Sequence, residues 1–162
     1  MKQGSRSFTI LLACVAIYYF FTSCSSSKFD KDDKSGQLLA NPIKIIGYDI
    51  SNSSLKLKDN HNHDATYVLI LRKQTIDWNV IGNNVSKLEI VSIYPDPNYQ
   101  GNSPDFFDSM PAEQGNPKHW RATIGNPDTT KLFIEKYNIR WRLTDDTTKT
   151  YTYDPIMQIN PK

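Results

Sequence analysis

The stretch Tyr137-Asn-Ile-Arg-Trp-Arg-Leu143 alternates apolar and polar side chains over its whole length. Such alternation is the strongest sequence signal for a β-strand, because successive side chains of a strand point to opposite faces. One face carries the apolar residues Tyr137, Ile139, Trp141 and Leu143, and the other carries Asn138, Arg140 and Arg142. The stretch therefore predicts a strand with one face on a hydrophobic core and the other in water.

The residues that follow predict a partner for this strand. A polar connection over residues 144–149 leads to Thr150-Tyr-Thr-Tyr153, so we expect an antiparallel hairpin with Asp145 and Asp146 solvated in its turn. Asp154-Pro155 interrupts the second strand because proline has no N–H to donate to a ladder. Ile156-Met-Gln-Ile159 is expected to resume that strand at a sheet edge.

Further runs rich in β-branched and aromatic residues lie upstream of the hairpin. They span residues 43–50, 66–72, 75–81, 87–93 and 119–124, with a shorter run at 131–134. The run at 66–72 is almost continuously apolar, which is typical of a strand that is buried on both faces. We therefore predict that residues 66–72 form a central strand.

Several short strands separated by polar turns favour an all-β fold in which two sheets pack face to face. Residues 42–162 are enough to bury a core of ordinary size without disulfides. The pattern resembles the immunoglobulin-like or fibronectin-III-like class, although it lacks the Cys…Trp…Cys core of antibody domains. That resemblance implies a single antiparallel β-sandwich of about seven to eight strands, and it implies nothing about function.

One short helix is expected within Asn102-Ser-Pro-Asp-Phe-Phe-Asp-Ser-Met110. Ser103 suits an N-cap and Pro104 suits the first helical position. Asp105 complements the positive end of the helix dipole, and Pro111 stops continuation. These signals predict a turn or two of helix over residues 104–110.

Residues 8–21 form an apolar and aromatic run behind Lys2 and Arg6, with no acidic residue before Asp30. As a helix this run would rise about 21 Å, short of the roughly 30 Å hydrocarbon core of a bilayer. A short apolar run behind basic residues is typical of a secretory signal peptide. We therefore predict that residues 1–23 are a signal peptide.

The run ends in Phe21-Thr22-Ser23-Cys24, two small residues followed by a cysteine. This motif resembles the lipobox of bacterial lipoproteins, in the relaxed form of Bacteroidota in which a residue such as Phe21 replaces the usual aliphatic one. The resemblance implies cleavage before Cys24, two or three acyl chains such as palmitate on that residue, and anchoring in the cell envelope at the outer membrane. More than one chain is what stable anchoring requires. An ordinary signal peptide with an incidental cysteine, or an uncleaved anchor, is the alternative.

Residues 24–41 then read as the lipidated cysteine and a flexible tether. The segment is polar and mixed in charge, and it has too few apolar residues to fold alone. Its root-mean-square reach as a flexible chain would be roughly 20–25 Å. This distance would hold the β domain of residues 42–162 just clear of the lipid head groups.

Charge and cysteine content limit the possible functions. Without Lys2 and Arg6 of the leader, 17 of the 19 basic side chains remain against 17 acidic ones. The mature chain is therefore formally neutral, and nucleic-acid binding, which needs a basic stripe, is not expected. Cys14 would leave with the leader and Cys24 would carry lipid, so no thiol would remain for nucleophilic catalysis, a disulfide or a thiolate zinc site.

Residues 94–118 are expected to form one long loop, and loops of this length are usually functional or disordered. Aromatic rings on it or at its end are candidates for stacking on sugars or anchoring a protein partner. These candidate binding residues are Tyr94, Tyr99, Phe106, Phe107 and Trp120. The alternative for Phe106 and Phe107 is that both fold back and plug the end of the sandwich, since large exposed apolar patches are rare on monomers.

Metal binding is a weaker hypothesis. In Asp59-Asn-His-Asn-His-Asp64, an extended backbone would place His61 and His63 on the same side, and His119 is a candidate third ligand. The polar neighbours favour an exposed connection between strands instead. We therefore expect no metal and no other cofactor.

The chain contains no nucleophile elbow, phosphate-binding glycine loop or HExxH motif. A non-enzymatic binding or adaptor module of the cell envelope, with a glycan or an envelope protein as partner, is therefore the leading interpretation. A structural subunit that assembles through strand edges is the alternative. An envelope hydrolase is the third interpretation, because glycosidase carboxylates come from distant positions in the chain.

Overall fold

The computed structural model describes residues 42–125 and 130–160, and these ranges are all-β. The signal peptide and tether predicted for residues 1–23 and 24–41 lie outside the described residues. The described ranges contain ten strands: β1 (Ile43–Asp49), β2 (Ser54–Lys58), β3 (Tyr67–Leu71), β4 (Thr75–Val80), β5 (Leu88–Pro95), β6 (Phe107–Asn116), β7 (His119–Ile124), β8 (Phe133–Leu143), β9 (Asp146–Tyr153) and β10 (Ile156–Asn160). One 3₁₀ turn, Asn83–Val85, precedes β5. Within the described ranges, no helix is long and apolar enough to cross a bilayer.

The strands form two sheets. The first sheet has the order β2-β1-β4-β7-β6, and the second has the order β3-β10-β8-β5 with β9 also paired to β8. Each sheet contains one parallel pair, β1 with β4 and β10 with β3. The prediction of purely antiparallel sheets is therefore wrong, whereas the all-β prediction is confirmed. Periodicity within a strand cannot reveal this mixing, because it depends on which sheet each successive strand joins.

Strand β8 is the centre of the second sheet. Its first residues, from Phe133 to Lys136, pair with β10, and the remainder pairs with β5 on one side and β9 on the other. The alternation predicted for it is observed, since Tyr137, Ile139 and Trp141 are fully buried. The predicted short strand at 131–134 is in fact the start of β8.

The predicted hairpin is also present, in a modified form. Its turn is Thr144-Asp145 and β9 already begins at Asp146, so the connection is shorter than expected and the second strand is longer. Asp154-Pro155 separates β9 from β10 as predicted. Strand β10, however, is not an edge strand, because β3 pairs with its other side.

Both sheets contribute to one hydrophobic core. Trp78 of β4 meets Tyr137 of β8 with ring centroids 5.8 Å apart, and the Trp78 indole N–H donates to the Tyr137 hydroxyl at 3.3 Å. Tyr48 of β1 meets Trp141 of β8 at 5.5 Å. These contacts show that the inner faces of the two sheets pack against each other.

Residues 102–110 do not form the predicted helix. The expected capping contact is present as a turn, in which the Asp105 N–H donates to the Ser103 hydroxyl at 3.3 Å and the Phe106 N–H donates to the Ser103 carbonyl at 3.1 Å. Beyond Phe106 the chain extends into β6, which pairs with β7. Pairing with β7 and burial of Phe106 outweigh the weak local helix signal, since a single turn of helix is marginal without packing.

Strand β6 also corrects the prediction of one long loop over residues 94–118. The register of β6 against β7 breaks at three places, and most of its side chains are exposed. Bulges and exposure erase the alternation by which strands are recognised in a sequence. The five-residue strand β2, which contains Lys56 and Lys58, was missed as well. These two strands explain why ten are observed against the predicted seven to eight.

Strand β3 corrects the prediction of a central strand. It lies at the end of the second sheet and pairs only with β10 among the described strands. Val68 and Ile70 point into the core, and Tyr67, on the outer face, is 45% exposed. A strand that is apolar on both faces predicts burial of both faces, but the outer side chains of β3 lie at the protein surface.

Candidate functional site

The outer face of β3, β10 and the start of β8 carries a strip of apolar side chains, which we call the apolar face. The register places Ile156 beside Tyr67 and Lys136, and Gln158 beside Leu69 and Ile134. Ile134 and Tyr67 are 42% and 45% exposed, whereas Leu69, Leu71 and Ile156 are half-buried. The members of the apolar face are Tyr67, Leu69, Leu71, Ile134 and Ile156.

The apolar face arises from the regular pairing of β3 with β10. The two strands are in register from Ile156 opposite Tyr67 to Asn160 opposite Leu71, without a bulge. Alternation therefore sends Val68, Ile70, Met157 and Ile159 into the core and their neighbours outward. The Tyr67 hydroxyl donates to the Gln158 side-chain oxygen, so this hydrogen bond holds the ring over the face. Contiguous exposed apolar surface of this kind typically marks an interaction site.

The free edge of β3 adjoins the apolar face, and it differs from the other sheet edges. Edge strands are normally protected from pairing with other chains by charges, prolines, bulges or a covering segment. Tyr67–Leu71 contains no charged residue and no proline, and its pairing with β10 is unbroken.

Each other edge carries at least one protecting feature. The Leu57 carbonyl of β2 accepts from Ala65 N–H at 3.2 Å, and Ile90 N–H of β5 donates to the Pro117 carbonyl at 2.9 Å, so segments cover both strands. Strand β6 has three register breaks and contains Pro111. Strand β9 is polar and carries an ion pair between Lys149 and Asp146. Among the described strands, β3 alone combines a regular free edge with apolar side chains.

The predicted aromatic binding residues are not brought together on the surface. Phe106 and Trp120 are buried at 1% and 9% exposure, and Phe107 stacks on Phe106 at 4.1 Å with one side against the core. Phe106, Phe107 and Trp120 therefore pack on or in the core, which corrects the expectation of exposed rings. Phe106 and Phe107 fold back onto the core, in agreement with that part of the alternative interpretation. Tyr94 and Tyr99 are partly exposed, with the Lys136 ammonium 5.5 Å from the Tyr99 ring centre, and their role in binding stays a prediction.

His61 and His63 share one turn, whereas His119 lies elsewhere with a different partner. Asp59 organises the turn that holds His61 and His63, because its Oδ1 accepts from both backbone N–H groups at 2.8 Å. The two imidazoles lie 6.1 Å apart, and His63 Nδ1 is 3.3 Å from Asp59 Oδ2. His119 instead contacts Asp77. Within residues 42–125 and 130–160, no three His, Cys, Asp or Glu side chains are arranged to hold a metal.

Asp77 joins His119 and Arg121 on the outer face of the first sheet. Its Oδ1 lies 2.8 Å from both His119 Nε2 and Arg121 Nε. Burial by itself would raise the pKa of Asp77, but the hydrogen bonds from Arg121 and His119 outweigh it and hold that pKa below its ordinary value. The cluster is thus a stable cross-strand ion pair between β4 and β7.

Glu135 is a buried acid that sequence reasoning missed. Its side chain is fully buried, and both carboxylate oxygens accept from Ser103 N–H at 2.9 and 3.0 Å. Loss of hydration raises the pKa of Glu135 to about 7, although the hydrogen bond from Ser103 opposes this. Its position in the sequence does predict this burial, because residue 135 lies on the same side of the strand as Tyr137 and Ile139, which point inward.

Asn102 fastens the same loop to β8. Its amide nitrogen donates to the Lys136 carbonyl at 2.9 Å and its amide oxygen accepts from Lys136 N–H at 2.7 Å, as a neighbouring strand would. The turn before β6 is therefore held on β8 by Asn102 and Ser103 together. These hydrogen bonds have a structural role, since they leave neither the Asn102 side-chain amide nor the Ser103 N–H free to bind a ligand.

An open cavity of about 380 Å³ lies beside the β1–β2 hairpin. Its lining mixes lysines with acids, namely Lys56 and Lys58 with Asp49 and Asp64, and it includes Tyr48. Mixed charge in an open cavity defines no ligand class. The apolar face and the free edge of β3 are consequently the strongest candidate site.

No protein-family model matches this chain, and no curated protein matches it. The apolar face is therefore the feature from which a function is inferred.

Proposed function

We propose that the chain is a non-enzymatic interaction module of the bacterial envelope, anchored by lipid on Cys24, that binds an envelope protein through the apolar face. Its domain would be a β-sandwich of the immunoglobulin-like or fibronectin-III-like class. The lipobox-like motif at residues 21–24 supports the anchor, and the two facing sheets with one shared core support the sandwich.

The single observation that carries this proposal is the exposure of Tyr67 and Ile134 on one face. Apolar and aromatic side chains at the centre of a surface patch provide most of the binding energy in protein interfaces. A glycan site would instead need several exposed rings, and Phe106 and Trp120 are buried. The apolar face therefore favours a protein partner over a glycan.

Ile134→Lys tests the proposal, with Ile81→Lys as a matched control. Both isoleucines are exposed to a similar degree, at 42% and 47%, but only Ile134 belongs to the apolar face. Crosslinking in intact envelopes should give a defined protein adduct with the wild-type chain and with Ile81→Lys. The adduct should be lost with Ile134→Lys while the melting temperature stays unchanged. Equal crosslinking by both variants would overturn the proposal.

A structural subunit that assembles through strand edges is the second candidate. It is favoured by the unprotected edge of β3, since free edges are templates for pairing with another chain. Concentration-dependent sedimentation into species larger than a dimer would favour this second candidate.

A further inference from the structure

We propose that β3 pairs with β3 of a second copy of this chain, antiparallel and about a twofold axis that passes through Val68. The pairing would join two copies of the second sheet into one continuous sheet. This inference rests on the proposed function in one respect, because it assigns the edge beside the apolar face to a second copy and leaves the face itself for the envelope protein.

The first argument is the direction of the open backbone groups. The Ile156 N–H donates to the Thr66 carbonyl at 2.9 Å, and in a parallel ladder every second residue faces the neighbouring strand. Thr66, Val68 and Ile70 thus face β10, and the residues between them face outward. Leu71 is already satisfied, since its N–H donates to Gln74 Oε1 at 3.2 Å and its carbonyl accepts from Gln74 N–H at 3.3 Å. Within residues 42–125 and 130–160, the outward N–H and carbonyl groups of Tyr67 and Leu69 have no backbone partner.

The second argument is that this pair of residues is self-complementary. With the axis at Val68, Tyr67 of one copy lies opposite Leu69 of the other, and Leu69 lies opposite Tyr67. Both are hydrogen-bonded positions of an antiparallel ladder, so all the outward groups of the two residues find partners. A closed twofold pair of this kind uses the same patch on both copies.

The third argument is the absence of charge from the paired segment. Tyr67–Leu71 contains no charged residue, so two copies of this strand would set no like charges against each other along the ladder.

The fourth argument is the fate of the apolar face. Pairing sets the outer side chains of Tyr67 and Leu69 beside the same residues of the second copy, and aromatic–aliphatic cross-strand pairs stabilise a sheet. Two apolar faces would then become neighbours on one continuous sheet. An interface of one short strand is small, and such interfaces are weak. Anchoring both copies in the same membrane would raise their effective concentration enough for weak pairing to matter.

Sedimentation equilibrium of the full-length chain in detergent tests the inference. The wild-type chain and Ile81→Lys should show a monomer–dimer equilibrium. Leu69→Pro should be monomeric, because it removes an outward N–H without removing a bond to β10. Leu69→Lys provides a second variant with the backbone N–H intact, and it should also be monomeric at an unchanged melting temperature. A monomeric wild-type chain, or a dimer that persists in Leu69→Lys, would overturn the inference.

The outcomes separate this inference from the proposed function. A dimer that captures no envelope protein through Ile134 would leave the pairing intact and overturn the function. A monomer that captures an envelope protein through Ile134 would overturn the pairing alone. Capture of an extended foreign segment on the β3 edge of a monomer would also reject the second copy as occupant.

Discussion

At the scale of single residues, Glu135 is the least expected side chain of the core. It points inward from β8, is fully buried, and meets Ser103 N–H through both oxygens. A carboxylate that loses its hydration favours the protonated form. The loss of folding stability caused by burying Glu135 should therefore depend on pH.

Glu135→Gln should remove the part of the pH dependence of folding stability that Glu135 causes. The pKa of Glu135 is raised from an ordinary value of 4.5 to about 7 in the folded chain. The folded state thus holds the proton more tightly than the unfolded state, and stability is greatest below the ordinary pKa. Between about pH 4.5 and about pH 7, the wild-type chain should lose stability on the order of 2–3 kcal/mol relative to Glu135→Gln.

Thermal melting of both chains across this pH range provides the measurement. Histidine titration contributes equally to both chains, so the difference between their melting temperatures isolates Glu135. That difference should grow in favour of Glu135→Gln as the pH rises. A difference that is constant with pH would show that Glu135 is not desolvated in the fold.

At the scale of elements, the end of β7 packs directly against the turn before β6. Gly125 N–H donates to the Phe106 carbonyl at 2.8 Å. A Cβ at residue 125 would lie 1.5 Å from the Asp105 carbonyl oxygen, which is a backbone atom that cannot turn aside. The backbone conformation of residues 103–106, and with it the burial of Phe106, depends on this close approach.

Gly125→Ala should therefore destabilise the fold by several kcal/mol, as overpacking against backbone does when nothing can yield. Gly47→Ala is the matched control, because its Cβ would lie 3.4 Å from the nearest atom, the Lys56 Cβ, which is an ordinary van der Waals distance. Denaturant unfolding should show a large loss for residue 125 and little change for residue 47. Similar losses at both positions would contradict the close packing of β7 on this turn.

At the scale of the whole molecule, the proposed anchor and the β3 edge act together. Lipid on Cys24 would confine each copy to a membrane surface, where weak pairing through β3 becomes effective. The free edge would be an aggregation hazard in bulk solution. The proposed pairing on a membrane would turn the same feature into a defined assembly.

Cys24→Ser should abolish lipidation of the chain. The thiol is the group that is lipidated in the proposed lipoprotein, and a hydroxyl cannot replace it in that modification. Metabolic labelling with a radioactive fatty acid should label the wild-type chain and leave Cys24→Ser unlabelled. Mass spectrometry of the native wild-type chain should show an acylated residue 24 as the first residue. An intact Met1, or an unmodified first residue, would overturn the anchor and the exclusion of thiol chemistry together.

Local patterning was sufficient to predict the all-β class and most strands, including β8, the hairpin with β9 and the break at Asp154-Pro155. These features depend on side-chain alternation and on the missing N–H of proline, which are properties of neighbouring residues. Strands β2 and β6 escaped prediction because lysines, bulges and exposure obscure alternation.

The tertiary structure alone decided where each strand lies in its sheet. The sequence of β3 is apolar on both sides whether the strand is central or terminal, and only its pairing with β10 shows that one side is exposed. The same holds for Phe106 and Trp120, whose rings are buried by strands distant in sequence. Periodicity reports what a side chain prefers, whereas burial depends on which distant segments cover it, and that is set by the packing of the whole chain.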